Sequence, residues 1–250
     1  LAQHGVANDS DGIRGGHGEQ TTVLAVHPPD SPEPEKQENA EEYYFSGTPS
    51  GPSRPSSVRL VLPDFTVELI TDSGIFSSSR IDPGTKILLM ELEDLPLGDL
   101  VDLGCGYGPI ATTLLRRFPG QPVWAVDVNS RARSICAQNL EANAQSDSEF
   151  HVISPEEVPA DLQVAGLISN PPIRIGKQAL HTLLEFWLGR LSYPAGVAWL
   201  VVHKHLGADS LTRWLESQGY VVTKVRSRQG YRILKVSPGE QHAPRADSTA

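Results

Sequence analysis

The chain has 250 residues, 21 Lys and Arg against 30 Asp and Glu, and a formal net charge of −9. That length admits one large domain or two small ones. No uninterrupted apolar run is long enough to span a bilayer, and no charged-then-apolar stretch of the signal type opens the chain. Two cysteines, Cys105 and Cys136, make neither a zinc site nor a disulfide framework, so the expected setting is a reducing cytoplasm with no metal and no membrane.

Residues 1–42 are rich in Gly, Pro and acidic side chains and lack apolar periodicity. Such a segment buries too little surface to offset its ordering entropy and reads as a disordered acidic tail. The folded body is expected over 43–236, as an approach segment (43–98) followed by a cofactor-binding sheet (99–236). Residues 237–250 read as a second, shorter tail.

In chain order, Val58–Leu62 and Phe65–Ile70 form two β-like runs around a Pro63-Asp64 turn. Asp82 then caps a helix with Pro83 in its first turn and Ile87, Leu88, Leu89 and Leu92 as apolar positions. After Gly98 strands and helices alternate. The expected strands are Leu100–Leu103, Val123–Val128, Phe150–Ile153, Val164–Ser169 and Val197–Val202. The helices are Ile110–Phe118, Arg131–Asn143 (capped by Asn129 or Ser130), Ala179–Leu191 and Ser210–Gln218. Tyr220–Val225 and Tyr231–Val236 close the chain as a hairpin. The rhythm predicts an α/β protein whose mostly parallel sheet is covered on both faces, with an antiparallel pair at one edge.

Charge is unevenly placed. Residues 170–236 carry ten basic and three acidic side chains, whereas residues 41–169 carry eight and eighteen. This asymmetry fits a polyanion-facing side, and it equally fits a solvated face balanced by acidic tails.

Two motifs carry chemistry. Asp102-Leu103-Gly104-Cys105-Gly106-Tyr107-Gly108-Pro109 lies between a strand end and a helix, where α/β folds place ligands. Pro109 stands where a dinucleotide fingerprint needs glycine, and no Gly-Lys-Ser/Thr phosphate loop is present. Asp127, about twenty residues further on at a strand end, suits the two hydroxyls of a ribose; a helix cap is the plain alternative. The second motif, Asn170-Pro171-Pro172-Ile173, ends the fourth strand of the alternating series. Two prolines remove two backbone donors and leave carbonyl acceptors beside the Asn carboxamide, an array suited to a flat NH₂ group. His203 and His205 are expected in a solvated loop, and His181 as a packed helix residue. Trp187, Trp199 and Trp214 read as core or core edge. Phe76 and Tyr107 suit either a pocket wall or the core.

On these motifs the chain resembles class I S-adenosylmethionine-dependent methyltransferases, and within them the small-domain family of small-subunit ribosomal RNA guanine-N2 methyltransferases. The likeness extends to Tyr44-Phe45-Ser46, Gly74-Ile75-Phe76-Ser77, Arg80-Ile81-Asp82-Pro83-Gly84-Thr85 and Leu88-Leu89. It ends in Arg228-Gln229-Gly230-Tyr231-Arg232-Ile233-Leu234 and spans about residues 43–236. The resemblance implies a Rossmann-like seven-stranded sheet with the last strand antiparallel, and S-adenosyl-L-methionine as cofactor. It implies that Gly104 and Gly106 approach the amino-acid part of the cofactor, that Asp102 organises its ammonium group and that Asp127 holds its ribose. Asn170 and the Pro171 carbonyl would hold the target amine, with Pro172 stiffening the turn. Ile173 stands where the family usually has an aromatic that stacks on the target base. Ser154-Pro155-Glu156-Glu157 departs from the usual acidic adenine contact. The implied activity is N-methylation of a base amine in RNA, with ribosomal RNA as the partner. A protein glutamine methyltransferase and an inactive RNA- or partner-binding module are the competing readings.

Overall fold

The computed structural model describes residues 52–244. The expected tail over 1–42, the Tyr44-Phe45-Ser46 stretch and residues 245–250 lie outside the described residues.

Strands β1 (Ser56–Val61) and β2 (Thr66–Thr71) pair antiparallel around the Pro63-Asp64 turn, as a ribbon separate from the main sheet. Helix α1 (Pro83–Glu91) follows. Its Asp82 N-cap accepts from the Thr85 N–H, and Pro83 occupies the first turn, where its missing N–H costs nothing. Then come β3 (Asp99–Leu103), α2 (Pro109–Arg117), β4 (Val123–Val126), α3 (Ser130–Asn143), β5 (Phe150–Ile153) and β6 (Val164–Ser169). The order continues with α4 (Lys177–Leu188), β7 (Val197–His203), α5 (Ala208–Ser217), β8 (Tyr220–Arg228) and β9 (Tyr231–Pro238).

The sheet runs β5-β4-β3-β6-β7-β9-β8. Strands β3 to β7 are parallel, and the last strand, β9, inserts antiparallel between β7 and β8. Alternate residues feed two apolar layers. Leu100, Ile168 and Trp199 join the face covered by α1, α2, α3 and the β1–β2 ribbon. Val101, Leu167 and Leu200 join the face covered by α4 and α5. Trp187 and Trp199 are fully buried, as their apolar context required, and Trp214 packs at the core edge.

Several boundaries differ from the sequence reading, three of them for a plain structural reason. Helix α4 stops at Leu188; Leu191, read as helical, turns back to bridge beside Val164 of β6. Strand β8 runs to Arg228 instead of Val225, because it is the sheet edge and its polar, exposed side chains hide it from any apolar pattern. The chain after Val236 is not tail up to Pro244. Strand β9 continues to Pro238, a short 3₁₀ turn spans Glu240–His242, and His242 stacks on Tyr220 with ring centroids 4.2 Å apart.

The approach segment is tied to α3 by side chains that bond backbone. Asn139 accepts from the Ile70 N–H and donates to the carbonyls of Ile70 and Tyr107. Asn129 donates to the Gly74 carbonyl, and Arg131 to that of Ser73. These bonds place Ile75, Phe76 and Ser77 as one wall of the main cavity.

Candidate active site

A cavity of about 750 Å³ opens at the carboxyl ends of β3, β4, β6 and β7, the end of an open α/β sheet where ligands bind. It is lined by Gly104, Gly106, Asp127 and Val128 on one side and by Asn170 to Arg174 on the other.

The first half is a backbone cradle. Gly104 sits at φ +75°, and a Cβ built there would project into open space, so the backbone itself is the surface. Gly108, at φ +88°, opens α2 and approaches Cys136 of α3 so closely that a Cβ would stand 2.7 Å from its sulfur. Its role is helix packing behind the cradle. Asp127 follows β4 directly, accepting from the Gly106 N–H at 2.9 Å and the Asn129 N–H at 2.8 Å. Burial raises its pKa, and these two bonds oppose the rise. Each carboxylate oxygen keeps a further lone pair.

Asp102 does not line the cavity. It lies fully buried beneath the glycine turn, where Oδ2 accepts from the Ala111 N–H at 2.9 Å. Because the cap residue of α2 is Gly108, which has no side chain to offer, Asp102 serves as a remote cap for that helix. Its Oδ1 is buried without a partner among the described residues, and burial pushes the pKa up to about 8.

The second half gathers distant segments. Asn170, just past β6, donates from Nδ2 to Asp82 Oδ2 and to Thr85 Oγ1, both at 3.0 Å. With both amide hydrogens so used, the acceptor end of the carboxamide is the end left for a ligand. Pro172 sits at φ −73°, ψ 75°, the centre of an inverse γ-turn in which the Pro171 carbonyl accepts from the Ile173 N–H at 2.8 Å. The Pro172 carbonyl accepts from the Ile175 N–H. The prolines' carbonyls are therefore not both free, as the sequence suggested: each is fixed by a local turn and retains one lone pair. Ile173 lines the cavity and begins the short 3₁₀ turn that leads to α4.

His203, expected in a solvated loop, is instead the half-buried end of β7, while His205 is exposed in the Lys204–Leu206 turn as expected; both line the cavity rim. Tyr231 meets His203 edge-to-face at 5.0 Å and lies on the first turn of α1, where a Cβ on Gly84 would stand 2.6 Å from its ring. His181 stacks on Trp214 and is absent from the cavity wall. Phe76 and Tyr107 both line the cavity, Tyr107 while almost fully buried. The sequence reading missed Asp82 and Thr85 as site residues; the Asp-Pro-Gly-Thr cap was visible, and its second use on Asn170 was not. Among the described residues no group of His, Cys, Asp and Glu suits a metal ion, and no helix is long and apolar enough to cross a membrane.

Comparison with known proteins agrees with this geometry. The family model of the methyltransferase small domain matches residues 66–235. The chain is 35% identical to the YbxB protein of Bacillus subtilis (strain 168) over 204 residues, which is 78% of this chain and 97% of that one. It is 36% identical over 138 residues to the ribosomal RNA small subunit methyltransferase C of Stutzerimonas stutzeri (strain A1501), covering 54% of this chain but only 40% of that protein. Among solved structures, the T. thermophilus 16S rRNA N2 G1207 methyltransferase, in complex with AdoMet and guanosine, superposes with a TM-score of 0.63 at 22% identity, over 76% of this chain and 52% of that one. The chain thus spans about half the length of the ribosomal RNA methyltransferases it matches. By sequence and by fold, it belongs to the methyltransferase small domain family, class I enzymes that use S-adenosylmethionine.

Proposed function

We propose that this chain methylates an exocyclic amine of an RNA base, with guanine N2 of small-subunit ribosomal RNA as the target. The observation that carries the reading is the acceptor end of Asn170, presented to the cavity by an amide whose hydrogens are already spent on Asp82 and Thr85. Such an end receives a donor, and a base amine is one. The names of the ribosomal RNA methyltransferase relatives point the same way, as do the cations of the last third, of which Arg174 reaches the cavity wall.

The residues fit the cofactor. Gly104 leaves open space at the turn, Asp127 offers two carboxylate oxygens at the cavity wall, and the buried Oδ1 of Asp102, without a partner among the described residues, favours a positive group nearby. Gly104 and Gly106 would take the amino-acid part, Asp102 the ammonium through the turn above it, and Asp127 the ribose hydroxyls. Bound there, S-adenosylmethionine supplies an electrophilic methyl group. The chain's own residues do the rest. An aryl amine is a poor nucleophile because its lone pair is delocalised into the ring. Asn170 Oδ1 and the second lone pair of the Pro171 carbonyl accept its hydrogens and favour the pyramidal geometry in which that pair is exposed. Pro172 holds the turn rigid, and Ile173 supplies an apolar wall beside the base. No base is needed before attack, because the nitrogen becomes acidic once alkylated. A nucleotide within a helix must first be flipped out of its stack.

Ile173 in place of an aromatic keeps a second reading open, methylation of a glutamine amide, which presents the same flat NH₂ without needing a stacking partner. Incubating the full chain with radiolabelled cofactor and, separately, naked small-subunit ribosomal RNA, assembled subunits and release factors tests both. Label in RNA at guanine N2 supports the proposal; label only in protein replaces it with the second reading, and cofactor binding without transfer to any of them favours a binding module.

A further inference from the structure

We propose that Asp82 and Thr85 are positioning residues for Asn170: they lock the orientation of its carboxamide and, by the fixed charge of Asp82, forbid a carboxylate at position 170. The proposal rests on the reading of Asn170 as the amine-gripping residue and assigns what makes that residue work.

An asparagine amide can face a site with either end, and only one end accepts. Here the choice is made by the neighbours. Asp82 Oδ2 is an acceptor, and it already receives the Thr85 N–H at 2.9 Å, so the Asn170 atom 3.0 Å away has to be the donating nitrogen. The second hydrogen goes to Thr85 Oγ1 at 3.0 Å, on a residue that is 4% exposed. The three residues close a triangle: Thr85 N–H to Asp82, Asn170 to Asp82, Asn170 to Thr85. Asp82 and Thr85 are set by the first turn of α1, and Asn170 by the end of β6. Flipping the amide would bring its oxygen against the Asp82 carboxylate and lose both bonds, so the acceptor end stays toward the cavity before any substrate arrives. This is preorganisation of a hydrogen-bond acceptor, which spares the reaction the cost of turning it.

The same geometry has a consequence for charge. In Asn170→Asp the carboxylate that replaces the amide sets an oxygen about 3 Å from Asp82 Oδ2, where two ionised carboxylates repel and drive the new side chain out of the position the amide held. The variant is therefore held back at neutral pH by Asp82, not by the loss of an acceptor. Removing the charge while keeping the shape, with Asp82→Asn, relieves it: the new amide can donate to the carboxylate introduced at position 170. In the parent background Asp82→Asn lowers turnover, because an amide at position 82 can donate as well as accept and no longer holds the Asn170 carboxamide in one orientation.

The experiment is a double-mutant cycle on the full chain, with small-subunit ribosomal RNA as substrate: parent, N170D, D82N and D82N/N170D, followed as turnover against pH, with N170A and T85V alongside. D82N should raise turnover of N170D by about tenfold or more at neutral pH and lower that of the parent, a reversal of sign that a merely structural cap does not produce. N170D alone should gain activity as pH falls, as the pair comes to share a proton, and the double variant should lack that gain. Side-chain ¹⁵N–¹H NMR of Asn170, assigned by its loss in N170A, gives a readout independent of turnover: two slowly exchanging amide hydrogens in the parent, with protection reduced in T85V. The same effect of D82N in both backgrounds, or rapidly exchanging Asn170 hydrogens in the folded parent, overturns the proposal. N170A turning over at the parental rate overturns instead the reading of Asn170 on which it rests.

Discussion

The two halves of the cavity are built differently. The half around Gly104 and Asp127 is made of backbone and of one carboxylate that bonds backbone, all within about two dozen residues of sequence. The half around Asn170 is made of side chains from four places: the start of α1, the end of β6, the end of β7 and the start of β9. The first surface suits a ligand common to many proteins, because glycine turns depend little on neighbouring side chains. The second can vary one residue at a time, and there Ile173, His203 and Tyr231 line the cavity.

If that division holds, variants in the two halves should fail differently. The largest effect is expected at Asn170. Asn170→Ala should lower single-turnover methyl transfer by about a hundredfold or more, as for loss of an interaction made mainly in the transition state, while calorimetry shows S-adenosylmethionine affinity nearly unchanged. Equal losses of both would erase the distinction between the halves.

Next in size is Gly108→Ala. The left-handed backbone and the 2.7 Å approach to Cys136 should together cost about 2–4 kcal/mol of stability, read from denaturant unfolding. Substitution of Cys136 by a smaller residue, such as Ala, in the same background should recover part of it. No recovery would mean that the close approach is not the source of the cost.

Asp127→Ala should weaken cofactor binding by about 1–3 kcal/mol, the scale of losing charge-assisted hydrogen bonds to two hydroxyls. Part of that loss comes from freeing the Gly106 N–H. Parental affinity in this variant would remove Asp127 from the cofactor half altogether.

The smallest effect is a pH slope. Asp102 titrates at about 8 in the folded chain because it is buried. Between the ordinary carboxylate range and that value the folded state holds a proton that the unfolded chain has released, so Asp102's contribution makes stability fall as pH rises through this window and level off above it. Asp102→Asn keeps an acceptor for the Ala111 N–H and should flatten the fall in melting temperature between about pH 5 and about pH 8. An unchanged slope would show that the proton sits elsewhere.

The turn-and-strand half around Gly104 and Asp127 was legible because its signals are local. A strand, three glycines, a helix and a strand-end aspartate follow one another, and each type is dictated by backbone needs that a sequence displays. Even there the reading gave Asp102 only a ligand role and did not show that it lies fully buried beneath the turn, where it caps α2 through the Ala111 N–H. Of the half around Asn170, the Asn170-Pro171-Pro172 motif could be recognised, but the γ-turn that occupies the Pro171 carbonyl could not, because it depends on ψ at Pro172. His203 read as a loop residue because its neighbours say nothing about what the end of β7 points toward.

The amino-acid sequence determined the order of strands and helices, the caps at Asp82 and Asn129, the two-faced apolar sheet and the family. Those features follow from periodicity, φ preference and hydrogen bonds reaching only a few residues along the chain. Tertiary structure alone decided that β9 slips between β7 and β8, that an exposed charged strand persists to Arg228, and that the cap of α1 turns the amide of Asn170, 88 residues away. Each of these rests on a contact between segments that no local pattern relates, and on polar atoms whose partners are fixed only when the sheet brings them within hydrogen-bond reach.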